Sequence, residues 1–143
     1  MRPPASEPIR AARDMVAAMN PALDPDEFVF CSSCDPSLIA NAEALALGSF
    51  REAEGVTLIL PRGAAEALGF STESPMRRIV LTVNSALDGV GLTAAVASAL
   101  AAEGIPCNVV AAFHHDHVFA PSEMAERALA ALEALQVRSA SPP

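Results

Sequence analysis

The chain has 143 residues, 52% hydrophobic and 18% charged, which suits one compact domain or two small halves sharing a core. Its formal charge of −8, with no basic cluster larger than Arg77-Arg78, argues against nucleic acid or an anionic membrane as partner. No apolar run approaches the ~20 residues that span a bilayer. The opening stretch MRPPASEPIRAARDM carries acids and no apolar centre, so a cytoplasmic location is expected. Three cysteines make no disulfide framework, and the lack of Trp and Tyr leaves little aromatic surface for stacking bases or sugars.

Residues 1–8 and 139–143 are rich in Pro and short polar side chains and read as disordered ends. From Ile9 the apolar residues Ile9, Ala12, Val16 and Met19 repeat at helical spacing until Asn20-Pro21 stops them. EFVFCS reads as a short strand. GSFREAEGVTLIL reads as a hairpin turning at Glu54-Gly55, where glycine supplies a positive φ. Pro61 opens a short helix, RGAAEAL, that Gly69 ends.

A second round follows. RRIVLTVNS is a strand; VGLTAAVASALAAEG is a helix, with Leu92, Ala95, Val96, Ala99 and Leu100 on one face and Gly104 as cap. IPCNVVAAF and HVFAP are two further strands, and Ser122 is placed to cap a last helix that buries Met124, Ala128, Leu132 and Leu135. The rounds echo each other: TLILPRGAAEAL and HVFAPSEMAERAL both run strand, proline, Ala-rich helix. The second round, β-α-β-β-α, is a ferredoxin-like half without an evident final strand, an α+β arrangement of antiparallel sheet covered by helices.

SALDGVGLTAAVASALAAEGIPCNVVAAFHHDHVFAP resembles the ACT domain, a small-molecule regulatory module. That family runs a first strand into a D-x-P-G or V-G-L loop, a helix, then Gly-Ile and a second strand; here Asp88-Gly89-Val90-Gly91-Leu92 and Gly104-Ile105 stand at those places. FVFCS, FREAEGVTLIL, CNVVAAFHHDH and the proline before the last helix fit the bacterial tandem-ACT type, which is similar to the ACT repeats of aspartate kinases and cytosolic arginine sensors. The resemblance spans Ile9 to Leu135 and implies a degenerate first half at 9–75 and a second at 76–138. The first half departs from the pattern with a loop or short helix from Asp35 to Leu47, and the second lacks the loop proline. Such a fold implies an amino-acid sensor without catalytic activity or cofactor, assembled as a homodimer or higher homo-oligomer. Edge strands left unpaired are often covered by another copy of the same chain.

The residues offer a physical reason for a ligand here. A strand ending at Ser85 and passing through ALDGVG into a helix leaves amides near Gly91, Leu92 and Thr93 open to a carboxylate, favoured by ~0.3–1 kcal/mol when exposed. Gly89 and Gly91 let the backbone come close, Val90 lies between them, and Asp88, Asn84 or Asp116 can accept from an ammonium group. The plainer alternative is a glycine-shaped turn with Asp88 in water. GVGLTA has no lysine in place for a phosphate loop.

His114-His115-Asp116-His117 allows three readings: a polar hairpin tip or subunit contact, a pocket contribution from His115 and Asp116, or metal and acid–base chemistry. A metal site would draw on His115, His117 and Cys107, one ligand short of the usual tetrahedral set. Cys31 and Cys34, in a C-x-x-C before Asp35-Pro36, echo a thioredoxin-like redox site but read more simply as ordinary thiols. Glu52 and Glu54 are a candidate carboxylate pair, or a solvated strand face beside Arg51.

Overall fold

The computed structural model describes residues 9–140, and their side chains except at 9, 10 and 85–88. The disorder expected of residues 1–8 lies outside the described residues. In chain order the elements are β1 (Ile9–Ala11), α1 (Ala12–Ala17), β2 (Pro21–Ser33), α2 (Pro36–Glu43), β3 (Gly48–Glu52), β4 (Gly55–Pro61), α3 (Arg62–Ala67), β5 (Met76–Leu81), β6 (Ser85–Val90), α4 (Leu92–Ala102), β7 (Asn108–Ala111), β8 (Asp116–Pro121), a 3-10 turn at Ser122–Met124 and α5 (Ala125–Ala140). This is the α+β, ferredoxin-like arrangement of antiparallel strands and helices that the sequence implies. The chain divides into two compact units, Pro25–Arg77 and the remainder on either side of it.

In the unit Pro25–Arg77, strands run in the order β3-β4-β2, all antiparallel. Register places Cys31 against Leu58 and Val29 against Leu60. Side chains alternate along a strand, so these four share one face, and they bury it with Ala42 of α2 and Ala65 of α3. The expected hairpin turn is present: Gly55 has φ 149°, and a Cβ there would lie 2.8 Å from the Ser33 carbonyl oxygen. Asp35 caps α2, its Oδ1 accepting from the amides of Ser37 (2.9 Å) and Leu38 (3.4 Å), with Pro36 in the first turn. Such a cap contributes ~1 kcal/mol.

In the other unit the strand order is β5-β8-β7, and β1 pairs with β6 in parallel. Ile79 and Leu81 on β5, and Val118 and Ala120 on β8, are spaced by two and face one core. Helices supply the rest at helical spacing: Met15, Val16 and Met19 around α1, Leu92, Val96 and Leu100 on α4, and Ala128 and Leu132 on α5.

Five sequence expectations are corrected. Ile9–Ala11 is a strand rather than the first turn of a helix, because its backbone pairs with β6. β2 has 13 residues where EFVFCS covers six, since Pro21 can occupy a first strand position and Asp24 and Asp26 mask the pattern upstream. ALDGVG is mostly strand β6, with a register irregularity: Ile9 faces Ser85 but Ala11 faces Val90, so the extra residues bulge out. Ser122 does not cap the last helix; Pro121 precedes a 3-10 turn, and the Ser122 hydroxyl is buried without a hydrogen-bond partner. α5 continues through Ala140, two residues into the stretch read as tail.

Candidate functional site

Gly91 stands between β6 and α4 as the cap residue of the helix. Its φ of 108° is left-handed, its carbonyl accepts from Ala95 at 2.9 Å, and no side chain caps the helix. A Cβ at this position would stand 2.7 Å from the Cβ of Ala12, the first residue of α1, so only glycine fits. The amides of Leu92, Thr93 and Ala94 therefore open an 11-residue helix with no acceptor inside it.

They face an open cavity of about 510 Å³, within the ~300–1,000 Å³ typical of small-molecule sites. Gly89, Val90, Gly91, Leu92 and Thr93 line it, as does Asp116 from across the unit. The side chains of Ser85 and Asp88 lie outside those described. His115 does not line the cavity. The sequence reading missed Met15, Ala94, Ala97, Ala111 and Ala112, which complete the wall. Ala97 is one helical turn beyond Thr93 and was findable by periodicity; Met15 and Ala111 needed the fold.

Asp116 is the unusual member. It is 7% exposed, the buried charged residue of the described core. Alternation along β8 puts it on the same face as Val118 and Ala120, under the helices, and its cross-strand neighbour is Ala111. Among the described residues its carboxylate makes no hydrogen bond or ion pair. Burial raises its pKa, and the charge of nearby His115 pulls the other way.

The histidines separate into different roles. A tight turn, closed by the Ala112 amide donating to the His115 carbonyl at 3.1 Å, carries exposed Phe113 and His114 at its tip. His115 Nδ1 donates to the Val83 carbonyl at 3.1 Å, which ties the hairpin to the segment just after β5. His117 faces away from Asp116, with Nδ1 3.5 Å from Arg78, whose other nitrogen pairs with Asp24 at 2.8 Å. Burial first, then the charges of Arg78 and His115, lower the His117 pKa and so disfavour its charged form. Asp116 and His117 thus lie on opposite faces of one strand and make no acid–base pair. Among the described residues no three of His, Cys, Asp and Glu come together as metal ligands.

Burial raises the thiol pKa of Cys31 and of Cys107, whereas Cys34 is exposed. A redox nucleophile needs the opposite shift. In alkylation followed by peptide mass spectrometry at pH 8, Cys34 is expected to react roughly tenfold or more ahead of the other two; a faster Cys31 would contradict this. Glu52 accepts a hydrogen bond from Thr57 across the β3–β4 ladder, which accounts for it without chemistry.

Two models of the ACT domain match the sequence, one over residues 8–77 and one over residues 73–134. A Vibrio cholerae protein of unknown function, described as a possible transport protein, is 38% identical, with 87% of this chain and 94% of that one covered and a TM-score of 0.76. The regulatory subunit of aspartate kinase from Thermus thermophilus, in its ligand-free form, is 17% identical over 82% of this chain and 97% of that one, with a TM-score of 0.60. Aspartokinase III of E. coli, in complex with aspartate and ADP, is 14% identical over 82% of this chain and 33% of that one, with a TM-score of 0.61. No curated protein is significantly similar in sequence. Among the described residues no helix is long and apolar enough to cross a membrane.

Proposed function

This chain belongs to the ACT-domain family, with two such domains in tandem, and from that premise we propose that it is a cytoplasmic sensor that binds an amino acid and acts on a partner without catalysing a reaction itself. One observation carries the reading: Asp116, a buried carboxylate with no partner among the described residues, lines the same cavity as the open amides of α4. The amides suit a carboxylate and Asp116 suits an ammonium group, which are the two charges of an α-amino acid. The aspartate kinase regulatory subunits support the regulatory part of the reading through their fold.

We further propose that the chain works as a homodimer or higher oligomer. Val90, on the cavity wall, is 80% exposed, and Phe113 at the hairpin tip is 75% exposed, an amount of apolar surface that a second copy would cover.

Thermal melting against the twenty amino acids tests the sensor reading. At a tenfold excess over Kd the binder is expected to stabilise the fold by about 1.4 kcal/mol. Sedimentation with and without it is expected to show an assembly whose size or tightness changes. No stabilisation by any amino acid at millimolar concentration would refute the reading.

A further inference from the structure

We propose that the cavity at the start of α4 selects amino acids with a free ammonium group and an uncharged, apolar side chain, and turns away those with a second charge. The inference rests on the amino-acid reading of this site and deepens it.

Among the described residues the wall has two polar poles and little else. One pole is the set of open amides at Leu92, Thr93 and Ala94. The other is Asp116, 93% removed from solvent by its 7% exposure and without a hydrogen-bonding partner among the described residues. A ligand carboxylate and an ammonium group satisfy one pole each. What remains for a side chain is lined by Met15, Val90, Leu92, Ala97 and Ala111. Among the described lining residues there is no lysine, arginine or histidine, and no acid besides Asp116.

A second carboxylate on the ligand would enter this space with no cation to meet it and with Asp116 repelling it. A second ammonium or a guanidinium would compete with the first for the one carboxylate among the described lining residues, leaving one cation desolvated and unpaired. An apolar side chain meets neither penalty and removes its surface, and that of the alanines, from water. The charge count therefore sets the selectivity, and the small side chains of Ala97 and Ala111 leave room for more than one apolar shape.

Titration calorimetry on the full chain separates the outcomes. The probes are L-alanine, L-valine, L-leucine and L-methionine; L-aspartate, L-glutamate, L-lysine and L-arginine; and 4-methylpentanoate, which is leucine without its ammonium group. The tightest binder is expected among the first four, with each charged amino acid at least about tenfold weaker and 4-methylpentanoate at least about tenfold weaker than leucine. In Asp116→Asn the gap between leucine and 4-methylpentanoate is expected to close. If a charged amino acid binds tightest, the selectivity is refuted while the sensor reading stands. If no amino acid binds, both fall. If Asp116→Asn folds and keeps the gap, or if the native chain shows no gap, the assignment of Asp116 to the ammonium group is overturned.

Discussion

Gly91→Ala is expected to destabilise the fold by about 2–4 kcal/mol, a fall in Tm on the order of 10 °C. Two costs add at this position. The backbone sits at φ 108°, where an L side chain is strained, and the new Cβ would approach the Cβ of Ala12 to 2.7 Å. Neither atom belongs to a flexible side chain that can swing aside, so the β6–α4 and β1–α1 junctions must separate. The two costs can be resolved with Ala12→Gly. That change removes the clash but leaves the backbone strain, so the pair should show a coupling of about 1–2 kcal/mol in a double-mutant cycle. The variant also disturbs the amides that open α4, and ligand stabilisation should weaken along with the fold. A Gly91→Ala chain that melts with the native one would mean that the junction is laxer than its geometry implies.

Asp116→Asn is expected to stabilise the ligand-free protein at neutral pH while weakening ligand binding by about tenfold to a hundredfold, the range of a lost charge-assisted hydrogen bond. The opposing signs have one cause. Burial raises the carboxyl pKa in the folded state above its ordinary value of 3.8, so the folded chain keeps a proton that the unfolded chain has already released. The stability this proton confers is complete below the unfolded pKa and is lost as pH rises through the folded one. As pH rises, ionising Asp116 in this poorly solvated place, with no partner among the described residues, therefore costs the native chain stability. Asparagine has the same shape and no charge to desolvate. Its Tm should lose the fall that the native chain shows above pH 3.8, and should lie above the native value at pH 7. A less stable variant at pH 7 would mean that Asp116 is structurally paired, and the site would lose its ammonium acceptor.

Much of the fold is legible in the order of residues because local rules and tertiary structure agree there. Alternation identifies the core faces of β4, β5 and β8, and the i, i+4, i+8 placement of Leu92, Val96 and Leu100 identifies that of α4. Asp35-Pro36 and Gly55 act through their own backbone geometry, so their roles carry over directly.

What escaped the sequence depends on partners distant along it. Ile9 keeps helical spacing with Ala12 and Val16, yet its backbone is drawn into a strand by residues near Ser85. Asp24 looks like a loop acid until Arg78 is seen 2.8 Å away. Asp116, set among three histidines, has the local sequence of a solvated hairpin tip. Only its register with Ala111, and its place on the face of Val118 and Ala120, put it beneath the helices. The glycine-led start of α4 was legible, because glycines and a helix start declare themselves locally. The wall around it was not, since Met15 and Ala111 arrive from other elements.

Amide NMR on the uniformly ¹⁵N-labelled chain, titrated with the amino acid that stabilises it most, bears most directly on where a ligand sits. Resonances of Gly91, Leu92, Thr93, Ala94 and Asp116 should move furthest and follow a single saturating curve. Saturation with those five unmoved, and the largest displacements within Pro25–Arg77, would place the ligand elsewhere and contradict the account.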